Sequence, residues 1–154
     1  MNLVSPYASL GPHWLRGTLH VHSTASDGKQ PPDETLRDYE SRGYDVAALT
    51  DHNVFAQPPA GVCKRIVCLP GCEYRAYKGG PELGIIGARG TAPTDINQED
   101  AVAAVRALDA FVVYNHPNWD FEHWPAHRMI TLRTADALEV YNAVIEGLAG
   151  SAEA

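Results

Sequence analysis

Short apolar segments alternate with stretches of helical pattern along almost the whole chain, and nothing else in the sequence restricts the fold so tightly. Thr18–His22 reads as a strand, introduced by Trp14-Leu15-Arg16-Gly17. Pro31 and Pro32 then precede a helix over about Asp33–Arg42, with Leu36 and Tyr39 on one face and Gly43 placed to end it. Asp45–Thr50, Arg65–Leu69 and Leu83–Gly87 are further short apolar runs. Asn97 reads as the N-cap of a helix through about Asp109, in which Val102, Val105 and Leu108 are spaced to face a core. Phe111–Tyr114 is another strand. A helix near Ala126–Arg133 precedes a strand over Ala137–Tyr141, and a last helix begins near Ala143.

Strands alternating with helices predict βα units and a parallel sheet, either an open α/β sheet or an α/β barrel. A closed barrel ordinarily takes about 250 residues, and this chain has 154. The expectation is therefore one α/β domain over residues 1–154, with a barrel-like order of elements that is incomplete at its C-terminal end.

The polar residues stand where such a fold concentrates chemistry. His20 and His22 sit at the end of the first predicted strand, one residue apart, so their imidazoles project from the same face. Asp51 and His52 follow the second strand, Glu73 comes just after the third, and Asn115-His116-Pro117 follows Phe111–Tyr114. In parallel α/β folds the carboxyl ends of the strands share one rim, and that rim carries the active site. His-x-His alone is equally well explained by hydrogen bonding, and Asp-His after a strand by helix capping. Repetition at successive strand ends points instead to a metal site. Imidazole and carboxylate donors without thiolate suit zinc, manganese or iron.

Composition narrows the class of function. A formal net charge of −7, with no basic patch, argues against stable nucleic-acid binding. It leaves a phosphate-bearing substrate open, because bound cations invert the local field. Three cysteines, Cys63, Cys68 and Cys72, make an odd set in a C-x4-C-x3-C spacing that fits neither a disulfide framework nor a common zinc pattern. They read as buried thiols in a reducing compartment. No apolar run approaches the ~20 residues needed to cross a bilayer, and the first seven residues lack the basic start of a signal peptide. Cytoplasm is the expected location.

These residues also carry a family resemblance. Arg16–Gly28 (RGTLHVHSTASDG) resembles the first motif of the PHP (polymerase and histidinol phosphatase) superfamily, an H-x-H-S followed by S-D-G. Gly43-Tyr44-Asp45 with Leu49-Thr50-Asp51-His52-Asn53 resembles the second motif, and Leu69-Pro70-Gly71-Cys72-Glu73 the third. Asn115-His116-Pro117 matches the later histidine, and Leu138-Glu139-Val140-Tyr141-Asn142 the strand before the final motif. The match runs in order over about residues 14–146, and its spacing is similar to that of standalone phosphoesterases rather than polymerase-attached forms.

The resemblance implies a distorted (β/α)7 barrel holding two or three divalent ions (zinc, manganese or iron). By the same token His20 and His22 would bind a first metal, and Glu73 would bridge the first and second. His116 would bind the second, while Asp27 and His52 would serve a third. Glu73, His116 and Asp27 are the positions carried over as catalytic. The implied activity is hydrolysis of a phosphate ester, on a phosphorylated small molecule or nucleotide, by a metal-activated water.

Two departures stand out. Where the family has a histidine shortly after the third motif, this chain has Glu82, which is either a substitute ligand or a solvated glutamate in a site that has lost one. The family's last motif, Asp-x-His, does not occur after Asn142. The sequence is therefore expected to be part of a longer protein that supplies the remaining strand–helix units.

Other candidates are weaker. His123 and His127 are four apart, but Trp124-Pro125 breaks a helix between them, and they read as surface residues. His13 precedes the first strand, at the wrong rim. Arg16, Arg75, Lys78 and Arg89 can neutralise a phosphate, with Arg75 the closest in sequence to Glu73. Asn118-Trp119-Asp120 can shape a pocket, though Trp119 equally suits a core. Two rival functions remain: an amidohydrolase-type metal hydrolase, which also opens on His-x-His, and a degenerate, non-catalytic metal-binding module, favoured by Glu82.

Overall fold

The computed structural model describes residues 11, 13–75, 82–117, 124–132 and 135–142. Within them lie seven strands and three helices: β1 (Gly17–Thr18), α1 (Pro32–Ser41), β2 (Val46–Ala48), β3 (Val67–Leu69), β4 (Gly71–Tyr74), β5 (Leu83–Ile86), α2 (Gln98–Arg106), β6 (Phe111–Tyr114), α3 (Ala126–Leu132) and β7 (Ala137–Leu138). The expected last helix from Ala143, together with Lys78, residues 118–120 and His123, lies outside the described residues.

The strands form two sheets, β1-β2-β3 and β4-β5-β6-β7. The first is parallel, as expected from its βα connections. The second is not: β4 pairs antiparallel with β5, and β5 antiparallel with β6, before β6 and β7 return to parallel pairing. An eight-residue connection from β4 to β5 is too short for the crossover that parallel neighbours need, since that takes about a dozen residues. The expectation of a uniformly parallel sheet is thus corrected. Among the described residues the two sheets do not close into a barrel.

The sheets meet at Gly71. Val67–Leu69 and Gly71–Tyr74 are consecutive strands in different sheets, with Pro70 between them. A Cβ on Gly71 would lie 2.8 Å from the Leu49 carbonyl oxygen and 2.9 Å from that of Ile85, so only glycine lets one backbone pass between the two others. Isolated bridges on either side tie Ala56 to Gly71 and His52 to Glu73.

Each sheet has its own core. Val21, Leu36, Ala47, Leu49, Ala56 and Ile66 pack between α1 and the first sheet, with Tyr39 against them, as the α1 pattern predicts. Helix α1 ends as expected at Gly43, whose φ of +77° suits a residue without a Cβ. Cys72, Tyr74, Ile85, Val105, Val112 and Trp124 fill the space between α2 and the second sheet, and Leu108 packs on their edge. The α2 N-cap is Asn97, whose side chain accepts from the Asp100 N–H. Cys72 is buried, whereas Cys63 and Cys68 are only partly so.

Candidate metal centre

The first element of the site is the segment after β1. The assigned strand ends at Thr18, so His20 and His22 lie beyond it rather than inside a strand. The backbone nevertheless stays beside the segment after β2. Thr50 N–H donates to the Val21 carbonyl (2.8 Å), and the Thr50 hydroxyl accepts from Val21 N–H (2.9 Å). Val21 is buried in the core while its two neighbours turn the other way, with imidazole centroids 5.1 Å apart. The alternation expected of extended backbone therefore holds without a ladder of strand hydrogen bonds.

A tight turn closes over this segment. Asp51 is fully buried, and its carboxylate accepts from Ser23 N–H (2.8 Å), Ser23 hydroxyl (2.8 Å), Ser26 N–H (3.1 Å) and Ser26 hydroxyl (2.7 Å). Gly28 lies against the chain it folds over: a Cβ there would be 2.5 Å from the His22 carbonyl. The turn sets Asp27 at the mouth of the site, 64% exposed, with Oδ1 2.7 Å from His22 Nδ1 and Oδ2 3.5 Å from His52 Nε2.

Glu73 stands at the centre. It was expected just after a strand but lies inside β4, and it is 1% exposed. Its Oε1 lies 3.0 Å from His20 Nε2 and 3.1 Å from His116 Nε2, and accepts from Asn115 Nδ2 at 2.7 Å. Its Oε2 lies 2.8 Å from His22 Nε2 and 3.2 Å from His52 Nδ1. Four imidazoles, brought from three separate segments, thus meet on one carboxylate.

Glu82 is also 1% exposed, so it is not a solvated glutamate. Its Oε1 is 3.1 Å from His52 Nδ1, and its Oε2 is 3.2 Å from His116 Nε2. Arg75 donates to Oε1 through Nε (3.0 Å) and Nη2 (2.5 Å), a charge-assisted pairing that fixes the carboxylate. His116 has a φ of +25°, unusual for a residue with a side chain and more so before proline. Gly84 makes room for its neighbour, since a Cβ there would sit 2.8 Å from Asn115 Oδ1.

Glu139 is a member of the site that sequence reasoning named only as part of a strand. Its Oε1 lies 3.1 Å from His20 Nδ1, and its Oε2 accepts from His116 N–H at 2.8 Å. Asp51 was noted for its position beside His52, but its role as the anchor of the Ser23–Ser26 turn was not read. The Ser-Thr-Ala-Ser-Asp-Gly run was the available signal, because hydroxyls clustered in a turn need an acceptor.

Electrostatics follow from this crowding. Burial alone would lower the pKa of His20, but hydrogen bonds to Glu139 and Glu73 outweigh it and raise it to about 10. His116 behaves alike and is raised to about 9 by Glu73 and Glu82 against the effect of burial. His52 is raised chiefly by its hydrogen bond to Glu82. Burial would raise Glu73, yet its close pairing with the imidazoles of His116, His20 and His22 holds it far below the usual carboxylate range. Asp27 is also lowered: the His22 and His52 interactions exceed the burial effect.

Three sets of donors have atoms all within 4.8 Å of one another: His20, His22 and Glu73; His22, Asp27 and His52; and His52, Glu73 and Glu82. These chemistries fit divalent cations. A second observation agrees. His22 Nε2, Glu73 Oε2 and Glu82 Oε2 are buried and make no hydrogen bond with acceptable geometry, although polar atoms lie close by. Leaving such atoms without hydrogen bonds costs about 1–3 kcal/mol each, and a shared cation accounts for lone pairs that converge in this way.

The remaining candidates lie elsewhere. His13 and His127 are exposed, the latter on α3. The Arg16 guanidinium stacks on Tyr44 at 4.2 Å, before β1. Arg89 is exposed beyond the far end of β5 from Glu82. No described helix is long and apolar enough to cross a membrane.

No family model and no curated protein matches the chain. Among solved structures, it is similar to a two-domain protein from Bacteroides vulgatus that contains a predicted PHP-like metal-dependent phosphoesterase, with a TM-score of 0.62 and 21% identity. The alignment covers 82% of this chain and 44% of that one, so the chain spans less than half of that protein's length. The likeness is one of fold.

Proposed function

We propose that the chain is the metal-binding part of a phosphoesterase, acting through two or three divalent ions on a phosphorylated small molecule or a nucleotide. The observation that carries this reading is the overlap of three donor triads drawn from His20, His22, Asp27, His52, Glu73 and Glu82, with His116 set against both Glu73 and Glu82. The likeness to a protein containing a predicted PHP-like metal-dependent phosphoesterase supports the reaction class.

Bound there, divalent ions would supply a water acidified to near-neutral pKa and positive charge facing a phosphoryl oxygen. The protein's own part is positional. Glu73, with oxygens facing imidazoles from three segments, suits a bridging ligand. His20 and His116 present Nε2 to one of its oxygens, and His22 presents Nε2 to the other. Asp27 at the mouth is an anion at neutral pH, so it serves as a ligand or proton acceptor rather than a donor. Arg75 is held beside the cluster by Glu82, where it keeps a fixed positive charge close to an incoming phosphate.

Glu82 in this position supports a working second site with a carboxylate in place of the family's histidine, rather than a decayed one. Free thiols fit a reducing compartment such as the cytoplasm. The test is turnover of bis-p-nitrophenyl phosphate, p-nitrophenyl phosphate and a p-nitroanilide amide by the longest available form of the protein, with and without chelator. Chelator-sensitive cleavage of either phosphate ester, with the amide untouched, supports the reading. Amide cleavage alone would move the protein to the amidohydrolase class, and no turnover with metal bound would leave a binding module.

A further inference from the structure

We infer that Glu139 is a positioning residue for the metal centre, its two carboxylate oxygens holding His20 by its outer ring nitrogen and His116 by its backbone. This rests on the metal-centre reading above and adds a role that the motifs do not assign.

The geometry is specific. Glu139 follows β7, and its own N–H donates to the Tyr114 carbonyl at 2.9 Å, which fixes it beside Asn115 and His116 at the end of β6. Its neighbours Leu138, Val140 and Tyr141 are 53–84% exposed, whereas the Glu139 side chain turns inward and is 17% exposed. Oε1 takes His20 Nδ1 and Oε2 takes His116 N–H, while Asn142 Nδ2 donates to both oxygens at 3.2 Å.

Each contact has a consequence. A carboxylate can only accept, so His20 keeps a proton on Nδ1 toward Glu139, and Nε2, which faces Glu73 at 3.0 Å, is the nitrogen that gives up its proton when a cation takes the centre. A carboxylate behind a metal-binding imidazole fixes its tautomer and ring orientation in this way. The second contact anchors the N–H of a residue with φ +25°, a conformation that persists only where the surroundings enforce it, and that backbone aims the His116 ring. One side chain therefore sets two imidazoles that arrive from distant parts of the sequence.

Glu139→Gln is the informative substitution because the amide has one acceptor and one donor end. Turned either way, it fails one of the two N–H groups; with its NH2 toward His20, it also demands the tautomer that protonates Nε2. The experiment uses the protein labelled with 15N-histidine and loaded with zinc, recording ring-nitrogen spectra and zinc affinity, with His20→Ala to assign the signals. The expected parent spectrum has His20 Nδ1 protonated and Nε2 ligating. In E139Q zinc affinity falls about 10–100-fold and the His20 pattern changes, while His22 keeps its own.

E139Q binding zinc as the parent does, with an unchanged His20 pattern, would overturn this inference alone. So would a parent in which His20 ligates through Nδ1, a result that needs no variant to fold. A parent that binds no zinc would overturn the metal-centre reading and this inference together.

Discussion

The backbones of His52 and Glu73 pair as a parallel bridge, and their side chains meet again at 3.2 Å between Nδ1 and Oε2. This contact, with the Ala56–Gly71 bridge, joins the two sheets. Asn53 N–H donates to the Glu73 carbonyl (2.8 Å), and Glu73 N–H donates to that of Asp51 (3.1 Å), so the segment after β2 runs beside β4 for the length of the site. The ligands of both sheets are held in register by ordinary backbone hydrogen bonds, before any ion contributes.

Asp51 should be a stability residue rather than a ligand. Its buried carboxylate accepts four hydrogen bonds from the Ser23–Ser26 turn, and hydrogen bonds to charged groups are the stronger kind. Asp51→Ala should cost about 3 kcal/mol or more in urea unfolding of the metal-free protein. A change within experimental error would mean the turn is held by something else.

Gly28→Ala should disturb the site from outside it. The added methyl meets backbone atoms of His22 and Ser23 at 2.5–2.6 Å, so the turn must open. The expected cost is about 1–3 kcal/mol, with weaker binding of the ion that Asp27 serves. Equal thermal stability and equal metal affinity in the variant would contradict this packing.

These two residues also show how far the sequence could be read. Strand and helix positions, the ligand-bearing strand ends and the Asn97 cap follow from apolar spacing and turn chemistry, which are local. The antiparallel pairing of β4, β5 and β6 does not, because Cys72 and Ile85 become partners only once the chain has crossed between sheets at Gly71. Glu73 reads from sequence as following a strand because the apolar run Arg65–Leu69 stops at Pro70-Gly71, and the four residues of the next strand, Gly71–Tyr74, carry no apolar pattern of their own. Asp51 and Glu139 act on residues 23 or more positions away, a distance over which no local pattern reports.

Metal binding should release protons. In the metal-free site His20 and His116, raised to about 10 and 9, carry protons at pH 7, and a cation must displace them. Zinc titration calorimetry at pH 7 should therefore give heats that depend on the ionisation enthalpy of the buffer, and affinity should rise from pH 6 to pH 8. The sign for the chelated protein is the opposite. A raised folded-state pKa adds stability that is complete below the unfolded value of 6.5 and is lost as pH climbs through 9 and 10, so its Tm should fall over that range. Buffer-independent heats would contradict a protonated metal-free site.

Glu82→Gln should remove one ion from the set and spare the rest. Glu82 pairs with His52 and His116, and the first set of ligands needs only His20, His22 and Glu73. Metal titration should show one site lost or weakened about 10–100-fold, with the other retained. Unchanged stoichiometry would make Glu82 a partner for Arg75 and nothing more.

The central claim is that these side chains hold metal, and metal content per chain tests it most directly. Elemental analysis of the protein, purified without a histidine tag, should find zinc, manganese or iron bound, and the His20→Ala/His22→Ala variant should lose it while remaining folded by circular dichroism. A folded parent with no metal under metal-replete conditions, or a double variant that keeps the parent's full complement, would contradict the account.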